Sequence, residues 1–209
     1  MEHGLAFFGK MSASFSHEIN NVINTISEVS GLLGDLVAMT DRGKPLKKEK
    51  LKNITANIAD YSERGQQIIK RFNHFAHSPD DPTCETDLNH LLDNLASMSH
   101  RLVTRMKMNI ETNLPDKPVS ITTKPFLLEM MVFDCIESAM NNPADDVTIT
   151  VSVEPANPGA KITIMCPALP AFEQVKSAYP VMEILLDELQ AEVEDRNGGG
   201  VSFSLPANL

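Results

Sequence analysis

Apolar residues recur early in the chain at Phe15, Ile19, Val22, Ile26, Val29, Leu33 and Leu36, with spacings alternating between four and three. That period is the seam of a helix packed on a helical partner. Ser12 or Ser14 is expected to cap its start, with about ten residues ahead of it. "TDRGKP" (Thr40 to Pro45) supplies the glycine and proline of a helix–helix turn. A second seam follows at Leu51, Ile54, Ile58, Tyr61, Gly65, Ile68, Phe72 and Phe75. Two such helices on a short connection predict an antiparallel hairpin. Ile23, Val37 and Ile69 lie beside the seams, where one hairpin leaves them uncovered. Pairing two hairpins into a homodimeric four-helix bundle is therefore expected.

On that helix His17 falls away from the seam. Asn21, Asn24 and Glu28 follow it along the same outward stripe, flanked by Glu18 and Asn20. "HEINN" opens like the zinc-protease pattern H-E-x-x-H, but Asn21 stands where the second histidine belongs. The plain reading is a solvated polar face. The chemical reading is an accessible imidazole, a competent nucleophile when neutral, beside a carboxylate and amides.

Composition narrows the classes. The formal net charge of -10 over 209 residues argues against sequence-independent nucleic-acid binding, which needs a basic face. Three scattered cysteines, Cys84, Cys135 and Cys166, form no disulfide framework and suit a reducing cytoplasm. No run reads as a membrane span, and "GLAFFG" is too short for a signal segment, so no membrane insertion is expected. "HFAH" sets His74 and His77 near Cys84, but a fourth zinc ligand at suitable spacing is missing.

"FSHEINNVINTI" resembles the H-box of two-component sensor histidine kinases, S/A-H-E-[IL]-[RN]-[NT]-P-L, through His17, Glu18, Ile19 and Asn21, with Val22 in the place of the usual proline. The remainder is similar to the same family. "DLNHLL" (Asp87 to Leu92) looks like its first helix after the hairpin, "MKMNIET" like a strand, and "LPDKPVSITTKPFLLEMMVFDCIESAM" like the turn and helix carrying the N-box. The resemblance implies an α+β protein. Residues 1–78 would be the dimerisation and histidine-phosphotransfer hairpin. Residues 79–209 would be a two-layer α/β sandwich like the kinase ATPase domain.

The nucleotide boxes depart from the family. Asp134 and Ser138 stand for the two N-box asparagines, the second of which holds magnesium in the family. Cys166, Ala168 and Pro170 stand in the D-x-G-x-G box, where a thiol cannot accept the adenine amino hydrogen and proline lacks an N–H. "SAYPVMEILLDELQAEVEDR" reads as the next helix, with no glycine-rich entry and little room for a lid. "NGGGVSFSLP" (Asn197 to Pro206) reads as a tight turn into a last strand, its glycines following that helix. No cofactor of its own is expected.

Three functions follow from a histidine-bearing bundle without an ATP site. In the first, His17 exchanges a phosphoryl group with the aspartate of a response-regulator receiver domain whose own Mg2+ neutralises charge. Glu18 would orient the imidazole, and Asn20, Asn21, Asn24 and Glu28 would line the docking face. In the second, Glu18 and Asn21 match the family's E-x-x-N phosphatase pattern, with the Asn21 amide holding a water in line with the aspartyl phosphate. In the third, the chain is a non-catalytic adaptor for a receiver or a kinase.

Overall fold

The computed structural model describes residues 2–209 except Lys44, Leu46, Pro143 and Asn197. The expected turn position at Lys44 and turn start at Asn197 thus lie outside the described residues. The elements run α1 (Glu2–Asp41), α2 (Lys48–His77), β1 (Cys84–Asp87), α3 (Leu88–Arg105), β2 (Asn109–Asn113), β3 (Ser120–Thr123) and α4 (Pro125–Met140). Then come β4 (Thr148–Ala156), β5 (Gly159–Met165), α5 (Phe172–Ala178), α6 (Met182–Glu188), β6 (Glu192–Arg196) and β7 (Gly200–Leu205).

The chain divides into two compact units: Ser12–Asn73, and Met1–Met11 together with His74–Leu209. The smaller unit is the helical hairpin. Phe15 stacks on Phe72 with ring centroids 4.0 Å apart and planes at 12°. One heptad further along α1, Val22 faces Gly65, one heptad back along α2. The two helices are therefore antiparallel, in the register set by their seams. Val22, Val29 and Ile54 are buried, while Ile23, Leu32, Val37 and Ile69 stay exposed.

In the larger unit the sheet order is β2-β4-β5-β7-β6, with β2 parallel to β4 and the other neighbours antiparallel. A separate antiparallel pair joins β1 and β3. Alternation places Ile149, Val151, Val153, Ile162, Ile164, Val201 and Phe203 inward. Helices α3 and α4 cover that face, which gives the expected two-layer α/β arrangement. Asp87 caps α3, its carboxylate accepting from the N–H groups of Asn89 (2.9 Å) and His90 (3.3 Å). Pro125 opens α4, whose preset φ suits a first turn. That helix is buried on nearly every side, from Leu128 to Met140.

Four expectations change. Helix α1 begins at Glu2, so Ser12 and Ser14 lie inside it and cap nothing. The reason is packing: Phe7 meets Phe75, Phe126 and Phe133 at centroid distances of 5.4, 5.6 and 5.1 Å. That contact extends the helix and draws residues 1–11 into the α/β unit rather than the hairpin. Secondly, the stretch read as one helix after Ser177 breaks at Tyr179–Pro180 and ends as strand β6. Proline cannot continue the first turn, and Glu192–Arg196 gains a full ladder with β7. Thirdly, the glycines follow a strand: Gly198 (φ 90) and Gly199 (φ 83) turn β6 into β7. Finally, by length and composition alone α1 is long and apolar enough to cross a membrane. Its many Ile, Val and Leu residues and few charges raise the average, although those apolar residues follow a seam.

Candidate functional site

His17, Asn20, Asn21, Asn24 and Glu28 are all exposed on α1, and Glu18 is half-buried. His17 and Asn21 sit one turn apart, and Glu18 lies three residues before Asn21, so the three group on one part of the helix surface. With Val22 in the proline position the helix runs unbroken through this turn. Thr25 Oγ1 donates to the Asn21 carbonyl at 2.9 Å, an extra bond to the backbone of the turn carrying the amide. An open imidazole beside a carboxylate and a free-standing row of amides can take a phosphoryl group or orient a water.

The α/β unit carries a second constellation that the sequence pattern did not point to. Asp134, in the first N-box position, is 1% exposed, and both its oxygens lie 2.9 Å from His3 Nε2. Lys10 Nζ donates to Glu137 Oε1, and Tyr179 Oη donates to Glu137 Oε2 at 3.1 Å. The His3 ring meets Tyr179 edge-on at 6.0 Å. Burial first, then the Glu137 charge, pushes the Asp134 carboxyl up to about 8. Burial likewise lowers His3 and raises the Tyr179 phenol. The first turns of α1 thus supply the partners for the acidic face of α4.

Two other substituted positions are also closed, while Ala168 and Pro170 are half-buried. Ser138, the second N-box position, is buried. Cys166 is 1% exposed, its thiol raised by burial, and its backbone N–H donates to the Gly199 carbonyl at 2.8 Å. An adenine-recognising carboxylate has no counterpart there. A groove of about 710 Å³ lies on the outer sheet face, bordered by Asn113, Ser152, Glu154, Thr163, Glu194 and Arg196. Its walls hold no phosphate-cradling helix start. His74 packs on His90 (4.4 Å), His77 Nδ1 pairs with Asp80 (2.7 Å), and Cys84 Sγ lies 3.6 Å from Thr86 Oγ1. Among the described residues no cluster of three or more His, Cys, Asp or Glu is placed to hold a metal ion.

No family model matches this sequence, and no curated protein sequence does. Solved structures do match. The catalytic domain of histidine kinase ThkA superposes with a TM-score of 0.52 at 12% identity, over 60% of this chain and 96% of that one. Histidine kinase AdeS of Acinetobacter baumannii gives 0.51 at 12% identity, over 92% of this chain and 98% of that one. A chain from the complex of ThkA with response regulator protein TrrA gives 0.50 at 16% identity, over 97% of this chain and 63% of that one.

The fold is accordingly that of two-component histidine kinases, a helical hairpin followed by an ATPase-type α/β domain. Within that fold His17 is exposed on α1, while Asp134, Ser138 and Cys166 are buried and bonded internally or packed.

Proposed function

We propose that this protein acts in two-component signalling by exchanging a phosphoryl group between His17 and the aspartate of a response-regulator receiver domain, without ATP-driven autophosphorylation. One contrast carries the reading. His17 and Asn21 stand open on the hairpin with Glu18 half-buried beside them, whereas on α4 the first N-box position, Asp134, is committed to the protein's own His3 and the neighbouring Glu137 to Lys10. In the forward step a ring nitrogen of His17 attacks phosphorus and the P–O bond to the aspartate breaks, so the carboxylate leaves and phosphohistidine forms. The reverse step returns the group to an aspartate, and both species are energy-rich, so little driving force is needed. Positioning supplies the rate. Magnesium belongs to the receiver, and Asn20, Asn24 and Glu28 extend the docking face. The structural likeness to a ThkA chain from its complex with a response regulator supports a partner of that kind.

The free Cys84, Cys135 and Cys166 suit a reducing cytoplasm, and the exposed Ile23, Leu32, Val37 and Ile69 support a homodimer through the hairpin. Shielding such side chains returns about 25 cal/mol for each Å² of apolar surface removed from water.

A second reading is favoured by one feature: Asn21 is exposed, at E-x-x-N spacing from Glu18, on a turn held by Thr25. There Asn21 holds a water in line with the aspartyl phosphate and the protein is a receiver phosphatase. Receiver domains charged with acetyl phosphate separate the two. The relay reading expects labelled wild-type protein, no label on His17→Ala, and label retained by Asn21→Ala. Receiver phosphate loss that persists in His17→Ala and stops in Asn21→Ala establishes the phosphatase instead. Labelling of His17 by Mg-ATP alone overturns the ATP-independent reading.

A further inference from the structure

The turn that carries the H-box is held from both ends by contacts across the hairpin. Before it, Phe15 stacks on Phe72. After it, Val22 is 5% exposed and seated against Gly65 of α2. Gly65 is itself buried, and a Cβ added there would lie 3.2 Å from Val22 Cγ1 and 3.7 Å from Ile19 Cδ1. Its helical neighbours in type behave otherwise: Gly31 and Gly34 of α1 have open space where a Cβ would project. Glycine in a helix interior is unfavourable relative to alanine, so a crowded one marks a place where backbones approach closely. Here that place lies beside the residue that follows Asn21.

Resting on the phosphoryl-exchange or phosphatase reading above, we infer that Gly65 is a positioning residue. It forms a notch in α2 that seats Val22 and thereby sets the placement of His17 and Asn21 on the adjoining turn. Neither Gly65 nor Val22 touches the phosphoryl group. Val22 has one strongly preferred χ1 rotamer in a helix, so its methyl yields to a new Cβ mainly by a shift of the α1 backbone, which carries Asn21 with it. The retreat required is a few tenths of an ångström. In-line transfer tolerates such shifts poorly, since misplacement by about 1 Å costs on the order of 100-fold in rate.

The experiment uses the full chain and the receiver domain it turns over fastest after charging with acetyl phosphate. Gly65→Ala is expected to lower the turnover at saturating receiver by about tenfold, in line with a sub-ångström shift. KM and the thermal midpoint should hold or, for the midpoint, rise. Adding Val22→Ala removes the opposing methyls and should restore most of the lost rate. Gly31→Ala gains the same helix propensity in open space and should leave turnover unchanged. Phosphoramidate, which phosphorylates an accessible imidazole with loss of ammonia, should label His17 equally in all variants, since a small donor does not sense docking geometry. Unchanged turnover in Gly65→Ala, or no recovery in the double variant, overturns the inference. So does equal loss of phosphoramidate labelling, which would mean the imidazole itself was disturbed. A wild-type protein that turns over no receiver overturns the functional reading, and this inference with it.

Discussion

Glu129 has no exposed surface and sits on α4 with one oxygen 2.7 Å from Ser78 Oγ. The same hydroxyl lies 2.9 Å from the Phe75 carbonyl in the last turn of α2. A serine has one hydrogen to give, so it cannot donate to both acceptors at once. A protonated Glu129 resolves the competition, donating to Ser78 Oγ while Ser78 donates to Phe75. Burial supplies the cause, pushing this carboxyl from 4.5 to about 8. With the native value raised, stability from this site is complete below about 4.5. It declines as pH climbs toward 8, because only the unfolded chain ionises there, and is then constant. The full shift corresponds to about 5 kcal/mol, of which roughly half falls between pH 5 and pH 7.

Glu129→Gln keeps the shape and a donor for Ser78 but cannot titrate. The stability difference between variant and wild type should therefore grow by about 2–3 kcal/mol from pH 5 to pH 7. Urea denaturation followed by circular dichroism at several pH values reads this directly. Asp134 titrates in both proteins, so its slope cancels in the difference. A difference that stays flat to within about 0.5 kcal/mol across that range, below the usual scatter of independent sites, would refute a protonated Glu129.

Two further outcomes follow from the α/β unit. His3→Ala strips the buried Asp134 carboxyl of its acceptor and should cost about 1–3 kcal/mol, whereas Asp134→Asn, which still donates to His3, should cost less by the same urea assay. Gly199→Ala places a Cβ 2.4 Å from the Cys166 carbonyl at φ 83, while Gly43→Ala meets open space at φ 81. The second should lose only the left-handed penalty of about 1–2 kcal/mol, and the first clearly more, as read from thermal midpoints.

Much of the hairpin could be read along the chain. A seam with spacings of four and three needs only one partner face, so Phe15, Val22, Gly65 and Phe72 define both helices and their register locally. The outward position of His17 follows from the same period. Strand β6 is not legible in the same way, since Glu192–Arg196 is charged, exposed and strand-like only through its ladder with β7. Short edge strands of that kind owe their state to pairing, not propensity.

The sequence by itself determined the hairpin, the outward polar face around His17 and the residue types at the positions that resemble the family's nucleotide boxes, because each is a matter of residue type at local spacing. Only the tertiary structure decided where those substitutions led. His3 and Asp134 are 131 residues apart in the chain, and Ser78 and Glu129 are 51 apart. No periodicity links such residues; burial in a shared interior does, by making an unpaired polar group costly enough to require its partner.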